Sequence, residues 1–192
     1  MNPIPIIGAG ISGLCTAITL QESGYPVRIY SSAPPQATTS AIAAAIWMPF
    51  IAEPRELVNQ WSRRSYEVYA GQAQTAPEVG VSLVDFLVLT PSDAPLPWES
   101  AVPAGTITKA AAVDLPRGYQ YGYKVLVPMV ETPLYLRYLL DRYAKGGGSI
   151  VIQHIDSLTD FAARQELVIN CSGLGYFVAM KKSIPYKAKS FA

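Results

Sequence analysis

Charge is scarce in this chain. Only 15 % of its 192 residues are Asp, Glu, Lys or Arg, and 15 basic against 14 acidic side chains leave a formal net charge of +1. A balance this close to neutral suggests neither a nucleic-acid surface nor an acidic partner, so a small-molecule ligand is expected. Cysteine is scarcer still. Cys15 and Cys171 are too few for a disulfide framework and lack metal-site spacing, so both are expected in core packing and no metal is assigned. The one histidine, His154, has no cysteine, carboxylate cluster or nucleophile motif beside it and reads as a satisfied or exposed strand residue. The apolar N-terminus has no basic leading region, is broken by three glycines and is too short to span a bilayer. The chain ends Lys-Ser-Phe-Ala, which is not a peroxisomal signal of the Ser-Lys-Leu type. A cytoplasmic protein without a membrane partner is the expectation, and no internal repeat is present.

Half of the residues are hydrophobic, enough to bury a substantial core in one domain or one domain plus a fragment. The organising stretch is Ile4 to Tyr30. Pro3-Ile4-Pro5-Ile6-Ile7 is an apolar run that suits one buried parallel strand, and it leads into Gly8-Ala9-Gly10-Ile11-Ser12-Gly13. Ile11, Leu14, Cys15 and Ile18 then recur at helical spacing, Gly24 and Pro26 end that helix, and Val27 to Tyr30 reads as a second strand. A glycine turn between strand and helix admits two readings: a dinucleotide site, or small residues needed only for packing. For the first, Gly8 allows the tight turn, Gly10 the approach of a pyrophosphate and Gly13 close packing of helix on strand, with Ile11 and Ser12 opening the helix whose positive end meets the phosphates. The acidic residue that this fingerprint places at the end of strand two is missing, and Ser31-Ser32 stand there instead.

Further along, Ser31 to Ser40 is a loop by its prolines and hydroxyls. Ala41 to Phe50 reads either as a small-residue turn with a core tryptophan or as a backbone on which a large flat ligand lies, with Thr38, Thr39 and Ser40 offering hydroxyls to its phosphates. Glu53-Pro54 opens a helix with Leu57, Trp61, Arg64 and Val68 on one side. Val81–Thr90 and Tyr119–Met129 are strand candidates for a separate small sheet, with Tyr119, Tyr121 and Tyr123 on one face, either a half-buried aromatic face or a pocket wall. Thr132 and Pro133 start a helix with Leu136, Leu139, Leu140 and Tyr143 as its stripe and Gly146 as its stop. Ser149–Ile155 and Glu166–Asn170 are further strands. The second of these ends in Asn170-Cys171-Ser172-Gly173-Leu174-Gly175, a glycine turn that can approach the same ligand as the first. The last residues, with Lys181, Lys182, Lys187 and Lys189, look like a frayed tail.

In this order, Ile6 to Leu14, Thr38-Thr39-Ser40 through Ala44-Ala45-Ile46-Trp47-Met48-Pro49-Phe50, Tyr121-Gly122-Tyr123 with the Glu131 to Tyr143 helix, and Val168-Ile169-Asn170-Cys171-Ser172-Gly173 resemble the D-amino-acid oxidase and D-aspartate oxidase family. The match runs from residue 4 to about 176. The resemblance implies an α/β fold: a Rossmann-like FAD-binding parallel sheet with helices on both faces and a partial, smaller β-rich substrate domain. Its expected division is 1–75 and 131–176 for FAD binding, 76–130 for substrate-domain strands and 177–192 for an irregular basic tail.

By that resemblance the cofactor is FAD. Gly8, Gly10 and Gly13 hold the pyrophosphate, Ser31 or Ser32 lies near the adenosine ribose, and Thr38, Thr39 and Ser40 face the phosphates and ribityl chain. Ala45, Ile46 and Trp47 run along the isoalloxazine, Ile155 meets adenine through its backbone, Ser172 and Gly173 close the phosphate side, and Met48 and Phe50 stand beside the substrate. The implied reaction moves hydride from the α-carbon of a D-amino acid to the flavin; the imino acid hydrolyses to a keto acid and ammonia, and oxygen reoxidises the flavin to peroxide. The arginine that clamps the substrate carboxylate in this family lies beyond the Asn-Cys-Ser-Gly turn, after which about twenty residues follow here, so the N-terminal half of such an enzyme is expected. No catalytic residue is assigned, and Arg117, Arg137 and Arg142 are not nominated as the clamp. Three departures accompany this: serines for the acid after strand two, Ala45 where glycine is common, and Met48 and Phe50 where a polar residue and a tyrosine are frequent. A non-catalytic flavin-binding or interaction module and a glycine- or sarcosine-oxidase-like amine oxidase are the alternatives, and a homo-oligomer or a complementing second half is the partner expectation.

Overall fold

The computed structural model describes residues 2–43, 45–49 and 52–173. Phe50 and the expected tail over 177–192 lie outside the described residues. In chain order the elements are β1 (Ile4–Ile7), α1 (Ile11–Glu22), β2 (Val27–Ser31), α2 (Thr39–Ile42), α3 (Arg55–Thr75), β3 (Val81–Thr90), β4 (Ile107–Lys109), β5 (Tyr121–Val130), α4 (Thr132–Lys145), β6 (Ile150–Ile152), α5 (Leu158–Ala162) and β7 (Ile169–Asn170). They fall into two compact units, Met1–Ala43 with Leu136–Ala192, and Ala44–Tyr135.

The first unit is built on a parallel sheet in the order β6-β2-β1-β7. Ile4 to Ile7 lie in register with Val27 to Tyr30, Ser31 pairs with Ile152, and Ile7 pairs with Asn170. This is the expected Rossmann-like arrangement. The chain leaves β1 towards β2 and β6 on one side and returns to β7 on the other, which makes the carboxyl end of β1 the point where the winding reverses. Successive strand residues point to opposite faces. The face of Ile7 and Tyr30 is covered by α5, with Leu158 buried beside Ile7 and the Phe161 ring meeting the Tyr30 ring edge-on at 5.2 Å. The face of the fully buried Ile6 and Ile29 is left to α1 and α4.

α1 buries Gly13, Leu14, Ala17 and Ile18, so Ala17 joins the expected stripe while Cys15 is half-buried. Burial raises the Cys15 thiol above its ordinary range, which keeps it protonated and unreactive. The helix stops where Gly24 takes φ +84° and the N–H groups of Gly24 and Tyr25 donate to the carbonyls of Gln21 and Leu20. α4 is tied to α1 by Gln21, whose amide donates to the carbonyls of Tyr143 and Gly146, and by the Arg142–Glu22 ion pair. Tyr143 is fully buried and donates its hydroxyl to the Ser149 carbonyl at 2.9 Å.

Two strands are shorter than their sequences suggest. β6 ends at Ile152, so His154 stands in the loop beyond it and not in a strand, and β7 keeps only the two residues that reach β1. The five-residue α5 was not anticipated.

The second unit holds an antiparallel sheet in the order β3-β5-β4. Val81–Thr90 pairs along its whole length with Tyr121–Val130, and Ile107–Lys109, a strand too short to show a sequence period, pairs with Tyr123–Val125. Its core gathers Trp47, Tyr66, Trp98, Val125 and Val127. α3 starts where the Glu53-Pro54 signal places it, yet it buries the opposite face from the one expected. Tyr66 is inside while Leu57, Trp61 and Val68 are 42 %, 62 % and 39 % exposed. At 3.6 residues per turn the two stripes lie on opposite sides of the helix, and both are periodic. Of the three alternating tyrosines only Tyr123 is buried, donating to the Ala94 carbonyl at 3.0 Å; Tyr119 precedes the strand and Tyr121 is exposed at its start.

Candidate functional site

A cavity of about 930 Å³ opens at the carboxyl ends of the four parallel strands. That volume lies within the roughly 300–1,000 Å³ usual for ligand sites. Its floor is the first glycine turn. Gly8 has φ +108°, and a Cβ there would stand 2.3 Å from the Cys171 carbonyl oxygen; a Cβ on Gly13 would stand 1.9 Å from the Gly8 oxygen. Both glycines are therefore required by the close approach of the β1 turn to the β7 turn and of α1 to β1. Gly10 is different, because a Cβ there would meet only the Ser40 hydroxyl, at 2.8 Å. Gly10 caps α1 without a side-chain bond; of the first-turn amides, that of Ile11 donates to Ser40 Oγ at 3.2 Å, and those of Ser12 and Gly13 have no acceptor among the described residues.

The walls follow from the neighbouring strand ends. Ser12, Thr38, Thr39 and Ser40 line the cavity on the helix side. Thr38 donates its hydroxyl to the Pro35 carbonyl at 2.7 Å, while Ser40, acting as an acceptor for Ile11, keeps its own hydrogen to give. Ser172 and Gly173 line the β7 side. There the Asn170 Oδ1 accepts both the N–H and the hydroxyl of Ser172, at 3.1 and 2.7 Å, folding the Asn-Cys-Ser-Gly turn back on itself. On the far side stand Ser31, Ser32 and Ile155, with Tyr30, Gln153 and His154. The last three are lining residues to which the sequence pattern assigns no ligand contact, while Asn170 and Cys171 line the cavity as part of the second turn. No Asp, Glu, Lys or Arg lines the cavity among the described residues.

Not every expected residue gathers here. Ile11 and Gly13 sit behind the turn and shape it rather than line it. Ala45, Ile46, Trp47 and Met48 belong to the second unit. Ala45 accepts the Val130 N–H at 2.8 Å, Ile46 bridges to Met129, and Trp47 is buried edge-on between Tyr66 and Trp98 with its indole N–H donated to Ser65 at 2.9 Å. Met48 packs against the same core.

A concave site of bare main chain, helix amides and hydroxyls, free of acidic side chains, fits a dinucleotide diphosphate. Known proteins agree. The family profile described as FAD dependent oxidoreductase matches residues 4–191, and the chain belongs to that family. A D-amino-acid oxidase of Rubrobacter xylanophilus is 39 % identical over 170 residues, covering 88 % of this chain and 52 % of that protein. A D-amino-acid oxidase of Dictyostelium discoideum is 32 % identical over 175 residues, covering 88 % and 50 %. The chain thus spans about half the length of the curated relatives it matches. Among solved structures, glycine oxidase from Geobacillus kaustophilus superposes with a TM-score of 0.66 at 14 % identity, covering 93 % of this chain and 57 % of that one, a likeness of fold. The cofactor of the family is FAD.

Proposed function

We propose that this chain binds FAD in the strand-end cavity and forms the cofactor-holding part of an oxidase of D-amino acids. The observation that carries the reading is the wall of uncharged hydroxyls and main-chain amides around the β1 turn, in a chain 39 % identical to a D-amino-acid oxidase. FAD, when bound, supplies the two-electron oxidation at the substrate α-carbon, and oxygen takes the electrons on to hydrogen peroxide. The chain's own part is to bind and orient. The amides of Gly10 and Ser12 and the hydroxyls of Thr39 and Ser40 face the diphosphate; Thr38, Ser172 and Gly173 complete its surround; Ile155 stands at the nucleoside end with Ser31 and Ser32. On the family resemblance alone, Ala45, Ile46 and Trp47 run along the isoalloxazine and Met48 and Phe50 stand beside the substrate. In this division the first unit is the FAD-binding part and the strands of the second belong to the substrate domain.

The substrate is a small D-amino acid, and the free thiols Cys15 and Cys171 suit a reducing, cytoplasmic setting. Completion by a second half or a second copy belongs to the same proposal. A flavin-binding module without turnover is the second reading, because the cavity gathers groups that hold a ligand and no catalytic residue is assigned in it. Purified protein decides between them. Yellow protein that makes peroxide from D-alanine or D-aspartate, and not from glycine or sarcosine, supports the oxidase; yellow protein without peroxide supports the module. Colourless protein that takes up no added FAD refutes both.

A further inference from the structure

The cavity lacks a group that its fold ordinarily uses, because β2 ends in Ser31-Ser32 with no carboxylate for the ribose hydroxyls. Ser31 does not fill the gap: it is buried, and its hydroxyl donates to the Ala33 carbonyl at 2.8 Å. The next strand supplies other groups. Ser31 pairs with Ile152, and the Gln153 N–H donates to the Ser31 carbonyl at 2.8 Å, which fixes Gln153-His154 beside Ser32 at the cavity wall. Both side chains are exposed. The Gln153 side-chain carboxamide has no hydrogen-bond partner among the described residues, where the His154 imidazole meets only the exposed Asp156 carboxylate, at 3.5 Å. Adjacent strands lie about 4.8 Å apart, so the end of β6 is roughly 10 Å from the β1 turn, two strands away. A diphosphate over that turn directs its nucleoside across β2 towards β6.

We propose that Gln153 and His154 anchor the adenosine of the cofactor, in place of an acid on β2. The carboxamide carries a donor and an acceptor, matching a ribose diol or a base edge, and the imidazole offers a flat ring and a ring N–H to the base. This rests on the FAD reading of the cavity. FAD titrated into the 192-residue chain, followed by flavin fluorescence, tests it. Gln153→Ala and His154→Ala each raise Kd by about 3- to 10-fold and the double variant by roughly 10- to 100-fold, while Ser32→Ala has a smaller effect than either. Both positions, just beyond β6, are exposed, so an unchanged unfolding midpoint verifies that the variants fold. If the wild-type chain binds FAD and the double variant binds it equally well, the β6 anchor is wrong and the cavity assignment stands. A larger loss from Ser32→Ala than from the double variant also overturns it, returning the anchor to β2. A wild-type chain that takes up no FAD removes the underlying reading and the anchor together.

Discussion

Trp47, Tyr66 and Trp98 meet edge to face at 5.1 and 5.8 Å in the second unit, whereas in the first unit main chain closes on main chain where side chains are missing, at Gly8 and Gly13. One region is made by filling volume and the other by withholding it. The aromatic cluster buries large surfaces, with the Trp47 indole N–H donated to Ser65 and the Tyr66 hydroxyl donated to the Leu126 carbonyl, so it contributes chiefly to stability. The glycine turns bury little and fix instead where main-chain amides stand, so they contribute chiefly to the shape of the cavity.

Three changes sharpen that contrast. Trp47→Ala removes the indole that meets both other rings of the cluster and is expected to destabilise the chain by about 3–5 kcal/mol in urea unfolding. A loss of under about 1 kcal/mol would show that the cluster is not what holds its unit together. Gly13→Ala forces a methyl against the Gly8 carbonyl and is expected to destabilise by about 1–3 kcal/mol while abolishing FAD uptake in an absorbance titration. Retained uptake would mean that the turn tolerates a side chain and does not define the site.

The smallest effect is electrostatic and lies on the sheet of the second unit. Lys124, 2.7 Å from Asp114, holds that carboxyl below its ordinary value of 3.8. A depressed folded-state value means that the contribution is present above the ordinary carboxylate range and is lost as pH falls through the lowered value. Wild type and Asp114→Asn should therefore differ slightly in unfolding midpoint at neutral pH and converge as pH falls through the lowered carboxyl value. Curves that stay parallel to the acid limit would contradict the pairing.

The opening β1-α1-β2 unit was legible because every signal in it is local: an apolar run, three glycines, a helical stripe and a Gly-x-Pro stop. β3, β5 and α4 were legible for the same reason. β4, α5 and the true length of β7 were not, since segments of two to five residues carry no measurable period. α3 was legible as a helix but not as to which side faces in. Leu57, Trp61 and Val68 form as good a stripe as Tyr66 and Tyr69, and the sheet beneath, not the sequence of the helix, selects between them. The site divides along the same line. Glycines and hydroxyls announce themselves by type and spacing, whereas Gln153 and His154 reach the cavity only through the pairing of β6 with β2, more than a hundred residues away in the chain.

The hydroxyl of Ser40 already receives the Ile11 amide, which latches the segment after β2 onto the start of α1. On the proposed FAD reading, a phosphate oxygen arriving at this turn would meet a hydroxyl whose oxygen is already held in place, and the chain would surrender little further disorder in greeting it. Ser40→Ala would unfasten both ends at once, leaving an amide bare and the segment free to wander.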